Sequence, residues 1–589
     1  MHDLVIRNGT LVDGSGGAAR EADVAIDGDV ITEVCAAGSA GQGRREIDAR
    51  GQLVTPGFVD IHTHFDAQVT WDPYLTPSGF HGCTTVVMGS CGVGFAPARP
   101  DRHEWLIGLM EGVEDIPGSA MVEGITWGWE SFGEYLDVIE RSPHAIDFGC
   151  QVPHGALRAY VMGERGAKNE PATAEDIAEM RRLAADGLRA GALGISTSRT
   201  SLHKSIDGEF VPGTFATKDE VFGLGRALAD AGHGVFQLAV EHTELPAEMA
   251  WMRELAREIR RPISMNLSQT DASPELWRSV LRGLEEVGQN DEPLFAQVAG
   301  RAIGVLMSLE LTACPLLSQP TYLGLCAETN ERRLAELRKP EVRAAIANEE
   351  PLDLGAFPNL ITQTYDKMFP VTGAVDYEPA RSESIGERAR RSLAREGRAA
   401  EPRAVAVRAR EIICEALIEN DGKGLLYFPL FNYSNYDLEV LRELHMHPRT
   451  RMGLSDAGAH CGAICDGGMP TFMLSHWTRD RSRGARLPLE HVVHRQTRQT
   501  AMLFGLADRG LVAPGYKADL NVIDYDKLAG LAPEVVHDLP AGGRRLLQRA
   551  TGYRATVCSG SVILEDDSFT GVLPGRLLRG PRGARKTGS

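Results

Sequence analysis

The chain has 589 residues, with 80 Asp and Glu against 62 Lys and Arg and a formal net charge of −18. An acidic chain is a poor match for nucleic acid or an anionic membrane surface, so neither is expected as a partner. Hydrophobic residues make up 43% of the chain and no run of roughly 18 or more apolar residues occurs, which indicates a globular protein without a membrane span. Ten dispersed cysteines and an N-terminus without an apolar signal segment predict a cytoplasmic location.

Both ends of the chain read as short strands. In residues 1–55 apolar and polar residues alternate in runs separated by the turn dipeptides Asn8-Gly9 and Asp27-Gly28. Similar runs return at 518–526 and 555–567. Because chain ends often lie close together, residues 1–55 and 506–575 predict one small β-sandwich domain. Residues 576–589 are Gly-rich and basic, which predicts a solvated tail.

Between the two ends, over residues 56–505, strands alternate with helices. Alternation of this kind predicts parallel βαβ units, and at this length a distorted (β/α)8 TIM barrel is favoured over an open sheet. Nine segments compete for the eight strand positions, and Leu425–Phe428 is the one that we place outside the barrel. The predicted strands are Phe58–Thr63, Thr84–Met88, Ile146–Val152, Ala192–Thr197, Val235–Val240, Ile263–Leu267, Leu294–Val298, Leu425–Phe428 and Met452–Ser455. The clearest predicted helices are Ala174–Ala190, Lys218–Gly232, Pro246–Arg260 and Pro274–Val287.

Residues 325–424 are rich in Arg, Glu and Ala and predict a helical insertion within the barrel domain. Glu331–Lys339 and Pro402–Ile418 have amphipathic patterns, and Pro340 is expected to end the first helix and open a second, Glu341–Asn348. The insertion is expected to cover the barrel mouth or to form a subunit contact.

The sequence VDIHTH places His62 and His64 one residue apart at the end of the first barrel strand. In an extended strand residues i and i+2 point to the same face, so both imidazoles converge, as two ligands of one metal ion must. Two solvent-facing histidines would give the same isolated pattern.

Two further strand ends carry metal-binding groups. Cys91 lies between Gly89 and Gly92 after the second strand, and a thiolate is a good Zn²⁺ ligand, although an inert buried thiol is the alternative. Asp456 follows the last strand. One of its oxygens can bind a metal while the other accepts a proton, and the alternative is a carboxylate that caps a turn.

This combination resembles the amidohydrolase superfamily, and more closely its N-acyl-D-amino-acid deacylase (D-aminoacylase) branch. The resemblance covers nearly the whole chain outside the helical insertion. The segments that carry it are PGFVDIHTHFD (56–66), TTVVMGSCGVGFAP (84–97), HGALRAYVMG (154–163), GALGISTS (191–198), MGLSDAGAH (452–460) and GLADRGLVAPGYKADLNVID (505–524).

The resemblance implies a distorted TIM barrel with a small β-sandwich, and amide hydrolysis by metal-activated water. It implies that Cys91 is the branch's cysteine ligand, that His62, His64 and Asp456 complete the ligand set, and that Asp456 is catalytic. Asp456 would accept a proton from the water and pass it to the leaving amine.

The chain departs from the branch at two later strands. The branch usually places a histidine at the end of each, whereas the matching positions here hold Ala239 and Gln269, and His242 lies three residues late. We therefore expect one Zn²⁺ ion and regard a second as doubtful.

The resemblance also implies a substrate carboxylate, which requires a cationic partner. Arg199 and His203 follow a strand end and are candidates for substrate binding, together with Gln269, although a solvated basic loop is an equal alternative. His154 and His460 are candidates to stabilise the oxyanion, and structural roles for both are the alternative.

The predicted function is hydrolysis of an N-acyl (D-)amino acid or a related small-molecule amide, with homo-oligomerisation left open. One alternative is hydrolysis of a cyclic amide or imide on the same scaffold. Another is a catalytically silent barrel that binds a ligand or partner, which the residues Ala239 and Gln269 would favour. A nucleic-acid deaminase fits poorly, because the H-x-E…P-C-x-x-C signature is missing and the net charge is acidic.

Overall fold

The computed structural model describes residues 1–241 and 244–581. Strands from both ends of the chain join in a single nine-stranded sheet. They share an apolar core that includes Ile6, Val24, Leu520 and Val557. The strands, in their order across the sheet, are Ser568–Phe569, Ser561–Glu565, Tyr553–Cys558, Leu520–Ile523, Leu53–Pro56, His2–Leu11, Arg20–Asp27 and Val30–Ala36, with Gly43–Asp48 paired beside His2–Leu11.

Eight parallel strands form the barrel, and they pair in chain order. The first and eighth meet just beyond their ends, where the Asp456 amide donates to the His62 carbonyl (3.2 Å) and the His64 amide donates to the Ala457 carbonyl (2.9 Å). The barrel therefore closes at the residues predicted to bind metal. From first to eighth, its strands are Phe58–Asp60, Cys83–Met88, Asp147–Pro153, Gly194–Arg199, Val235–Val240, Ile263–Asn266, Leu294–Val298 and Thr450–Met452.

Helices surround the barrel and follow the predicted alternation. Ala174–Ala190 has its predicted bounds, and it begins where Thr173 and Asp176 form a reciprocal capping box. The helices outside the later excursion are His103–Glu114, Gly118–Gly124, Phe132–Glu140, His154–Met162, Glu164–Ala167, Ala174–Ala190, Lys218–Ala231, Leu245–Ile259, Leu276–Gln289, Met469–Ser475, Leu489–His494 and Thr500–Leu503.

A long excursion separates the seventh and eighth strands. It contains a three-stranded sheet in which Leu425–Phe431 lies between Ile303–Met307 and Phe369–Val371, so the ninth strand candidate lies outside the barrel as predicted. The excursion has its own apolar core, which includes Ile413 and Phe428. Its helices are Pro320–Leu323, Asn330–Leu337, Pro340–Asn348, Ala356–Gln363, Ile385–Arg395, Pro402–Gly422 and Glu439–Met446.

The C-terminal region contacts both ends of the barrel. The hairpin Glu534–Leu539 and Gly543–Leu547 reaches the segment after Asp456, where the Leu546 amide donates to the Cys461 carbonyl (2.7 Å). Two further short strands, Ala529–Gly530 and Ala550–Thr551, pair with each other.

The predicted solvated tail is wrong for its described part. The Arg576 amide donates to Asp147 Oδ1 (2.9 Å) at the start of the third strand, and Leu577 and Leu578 are buried. Residues 582–589 of the predicted tail lie outside the described residues. Within the described part of the chain, no helix is both long and apolar enough to cross a membrane.

Candidate metal centre and active site

The ends of the first and second strands bring His62, His64 and Cys91 together. Each offers a ligand atom within 4.8 Å of the other two, and all three residues are buried. Cys91 Sγ lies 3.3 Å from His62 Nε2. Asp456, from beyond the eighth strand, places Oδ1 3.1 Å from His62 Nε2 and 3.5 Å from His64 Nε2. All four predicted ligands thus meet at one point.

Unusual backbone conformations aim the thiol and the carboxylate into this point. Cys91 (φ 55°) and Asp456 (φ 46°) both adopt the left-handed region, which side chains other than glycine rarely occupy. The Gln237 Oε1 atom accepts a hydrogen bond from the Cys91 amide (2.8 Å) and holds that turn. Gly89 precedes it at φ 78°, where a Cβ would lie 2.5 Å from the Gln151 carbonyl oxygen. Such local strain persists only where surrounding contacts impose it, and it clusters at functional sites.

Residues behind the histidines fix their orientation. His62 donates through Nδ1 to Gln297 Oε1 (2.6 Å), since an amide oxygen only accepts. This directs His62 Nε2 at the cluster, the orientation typical of metal-bound imidazoles. His64 Nδ1 lies 3.1 Å from Glu114 Oε1, at ion-pair distance but out of hydrogen-bond alignment.

The electrostatics favour a cation at the centre. Burial raises the pKa of the Cys91 thiol and holds the Glu114 pKa well above its ordinary value. Burial alone would lower the pKa of His62, but the adjacent Cys91 and Asp456 raise it well above 6.5. Burial lowers the pKa of His64 to about 4, so this imidazole stays neutral and able to bind metal.

These residues fit a metal ion. Two imidazole nitrogens, a sulfur and a carboxylate oxygen match the ligand types of Zn²⁺, and a thiolate disfavours Mg²⁺ and Ca²⁺. The neighbouring Cys91 and Asp456, which raise the His62 pKa, favour positive charge at this point.

Two other predicted residues lie near the cluster. His203 Nδ1 is 3.0 Å from Ser198 Oγ, and burial, together with the charges of His460 and His64, lowers its pKa to about 3. His460 Nε2 lies 3.7 Å from Glu114 Oε2, and its side chain is 25% exposed. Both histidines therefore belong to the mouth of the site.

His154 and Arg199 are engaged elsewhere. His154 uses both ring nitrogens, with Nδ1 2.8 Å from Thr197 Oγ1 and Nε2 3.0 Å from Glu220 Oε1. The Arg199 guanidinium pairs with Glu248 (2.7 Å) and also donates to a backbone carbonyl. The expected roles in oxyanion and carboxylate binding are corrected, because these polar groups already have protein partners.

Gln269 is likewise committed to loop structure rather than to substrate. Its Nε2 donates to the Pro274 carbonyl (3.1 Å), and its Oε1 accepts from the Ser434 amide (3.1 Å). Ala239 is buried within the fifth strand. His242, which lies three residues beyond Ala239 in the sequence, is outside the described residues.

Sequence reasoning missed Glu114, Gln237 and Gln297. Gln237 and Gln297 are single amides in the otherwise apolar strands VFQLAV and LFAQV, a signal that marks an interior polar role. Gln237 also donates to Asn266 Oδ1 (3.1 Å), so the fifth and sixth strands contribute amides to the barrel interior. Glu114 carries no such signal, because an acidic residue on an amphipathic helix is expected to face water.

Comparisons with known proteins identify related chains. The model of the amidohydrolase family matches residues 45–564. The chain is 28% identical to the D-aminoacylase of Alcaligenes xylosoxydans xylosoxydans over 98% of this chain and 97% of that protein. It is also 28% identical to the N-acyl-D-glutamate deacylase of the same organism, over 90% of this chain and 89% of that protein. The chain also superposes on a solved D-aminoacylase with a TM-score of 0.62 at 25% identity, over 98% of this chain and 100% of that one. That structure is described as having a binuclear metal centre with one-metal activation and second-metal attenuation.

Proposed function

This chain belongs to the amidohydrolase family, and on that premise we propose that it hydrolyses the amide bond of N-acyl-D-amino acids at a single Zn²⁺ site. The observation that carries the proposal is the convergence of His62, His64, Cys91 and Asp456 on one buried point. The D-aminoacylase and N-acyl-D-glutamate deacylase relatives support this substrate class.

The proposed chemistry divides between the ion and Asp456. When bound, Zn²⁺ lowers the pKa of a coordinated water and polarises the amide carbonyl. Asp456 directs Oδ1 at both histidines, and among the described residues Oδ2 has no hydrogen-bond partner. Burial would raise the pKa of Asp456, but His62 and His64 hold it well below its ordinary value, so the carboxylate is ionised and able to accept the proton of the attacking water. The same carboxyl group then delivers the proton to the leaving amine.

His460 is the remaining candidate to stabilise the oxyanion. His154 cannot serve, since both of its ring nitrogens are occupied within the protein. His460 follows Asp456 by four residues at φ 50° and is partly exposed at the mouth. A donor in that position stabilises the charge that develops on the carbonyl oxygen.

We propose one ion rather than two. Within the described residues, the metal-binding cluster is limited to the proposed site. Gln237 and Asn266 contribute amides where the fifth and sixth strands face the interior, and neutral amides are weak zinc ligands. The one-metal activation described for D-aminoacylase supports a single active ion.

The test combines metal analysis with hydrolysis of matched N-acyl-D- and N-acyl-L-amino acids. We expect about one zinc per chain, release of free amino acid from the D series, and loss of that release after chelation. Asp456→Asn should lower kcat by about 10²–10⁴-fold while zinc remains bound. Release at the wild-type rate by Asp456→Asn would contradict the catalytic assignment.

Product analysis separates the alternatives. Hydrolysis of a cyclic amide yields one product, whereas deacylation yields two, and a catalytically silent barrel would turn over neither substrate. A cytoplasmic location and homo-oligomerisation stay predictions.

A further inference from the structure

The loop of residues 200–216 exposes an unusual amount of apolar surface. It connects the fourth barrel strand to helix Lys218–Ala231 and therefore leaves the barrel at its C-terminal edge, where the metal centre lies. Leu202 (48%), Ile206 (59%) and Phe215 (61%) are exposed. They are three of the twelve large hydrophobic side chains exposed in the described part of the chain, so the exposure is concentrated on this short loop.

The loop is anchored at the centre by His203. The ring lies 3.0 Å from Ser198 on the fourth strand, and the Val211 amide donates to the His203 carbonyl (3.3 Å). Glu241 accepts hydrogen bonds from the Ser201 amide (3.1 Å) and hydroxyl (2.8 Å). The loop is therefore fixed at its inner end and extends outward from the site.

A second anchor lies on helix His103–Glu114. A Cβ on Gly112 would lie 2.1 Å from the Ser205 carbonyl carbon, so glycine is what allows the loop to lie against the helix backbone. One turn earlier, the Gly108 carbonyl accepts from the Ile206 amide (3.2 Å). The same helix ends at Glu114, beside His64, so the loop and the metal centre share one support.

The outer part of the loop forms a small aromatic surface. Lys204 and Phe210 pair across it, and the Phe210 and Phe215 rings pack edge to face at 5.2 Å. The loop thus carries a polar ring, His203, next to the fourth strand and exposed apolar side chains, Ile206 and Phe215, farther along the chain.

We propose that loop 200–216 binds the acyl chain of the substrate, so that the chain prefers N-acyl amino acids with extended apolar acyl groups over N-acetyl ones. This inference rests on the proposed function. With the amide carbonyl at the metal centre, an acyl chain that leaves along the loop would cover Ile206 and Phe215. Each fully buried methylene is worth about fourfold in kcat/KM.

The experiment uses N-acetyl, N-butanoyl and N-octanoyl derivatives of one D-amino acid. Wild-type kcat/KM should rise with acyl length. Ile206→Ser and Phe215→Ser should each lower the ratio of kcat/KM for the octanoyl substrate to kcat/KM for the acetyl substrate by about tenfold, mainly by raising KM for the octanoyl substrate. Val572→Ser is the matched control, because Val572 is also exposed but lies near the opposite end of the barrel. Circular dichroism and zinc content confirm that each variant is folded.

The outcomes separate this inference from the function on which it rests. Hydrolysis that is independent of acyl length, unchanged in both loop variants, would overturn the acyl site and leave deacylation intact. If the loop variants change the mass measured by sedimentation but not the octanoyl-to-acetyl ratio of kcat/KM, loop 200–216 contacts a second copy of the chain. That result would also overturn the acyl site. Failure to hydrolyse any of the derivatives would overturn both proposals.

Discussion

Replacing Gln297 by leucine should weaken zinc binding without unfolding the barrel. The side chain is fully buried, and its Oε1 accepts the 2.6 Å hydrogen bond from His62 Nδ1. In Gln297→Leu that N–H has no acceptor, and the ring is free to rotate or to change tautomer. Loss of such an outer partner typically costs 10–100-fold in metal affinity, or about 1.4–2.8 kcal/mol.

The effect on folding should be smaller than the effect on zinc. An orphaned buried N–H on His62 costs about 1–3 kcal/mol. Gln297 Nε2, however, is itself buried without a partner in the described structure, so its removal offsets part of that cost. We therefore expect a midpoint of thermal unfolding close to wild type for the metal-free protein, and a clear loss of zinc affinity.

Competition with a chromophoric chelator measures the zinc affinity, and Gln151→Leu is the matched control. Gln151 is fully buried in the third barrel strand, and among the described residues its side-chain amide has no hydrogen-bond partner. Equal zinc affinity in the two variants and wild type would refute the view that Gln297 orients His62. Gln297→Glu, which keeps an acceptor, should retain more affinity than Gln297→Leu.

Two further predictions concern stability. Burial would raise the pKa of Glu378, but hydrogen bonds from His476 and Arg481 lower it from 4.5 to about 2. Because of this lowered pKa, the ionised Glu378 should contribute up to about 3 kcal/mol to the free energy of unfolding above pH 4.5. That contribution should be lost as the pH falls from 4.5 toward 2. Urea unfolding of wild type and Glu378→Gln across that range measures it, and parallel pH profiles would count against the ion pair. Gly112→Ala should destabilise the protein by about 1–3 kcal/mol through its clash with the neighbouring loop, whereas Gly108→Ala, which meets only an ordinary 3.5 Å contact, should be neutral or stabilising. Equal unfolding midpoints for the two alanine variants would disprove the close approach at Gly112.

The barrel was predictable from the sequence where its strands are mostly apolar. Val235–Val240 and Leu294–Val298 match the predicted bounds, since buried parallel strands read as nearly continuous apolar runs, interrupted here by one glutamine in each. The eighth strand was placed two residues late. Leu454 continues its apolar pattern but lies at φ 57°, in the turn that leads to Asp456, so hydrophobicity there reflects burial rather than extended backbone.

The convergence of the four proposed ligands was predictable because each of them follows a strand in a local motif. The protein partners of His154 and Arg199 were not predictable, because these partners, Glu220 and Glu248, lie 66 and 49 residues away on other helices. A local pattern shows that a side chain is polar, but only the tertiary fold shows which group has already neutralised it.

The barrel's last join has a thermodynamic consequence. The two amides that stitch the first strand to the eighth belong to Asp456 and His64, whose side chains also face the proposed ion. Bound zinc would therefore stabilise the pairing of the first and eighth strands, and its release should weaken this pairing before the rest of the barrel. In hydrogen exchange, zinc should slow the exchange of these two amides far more than that of amides between the third and fourth strands. That result would mean that the metal-free protein is a barrel open between its first and eighth strands rather than an unfolded chain.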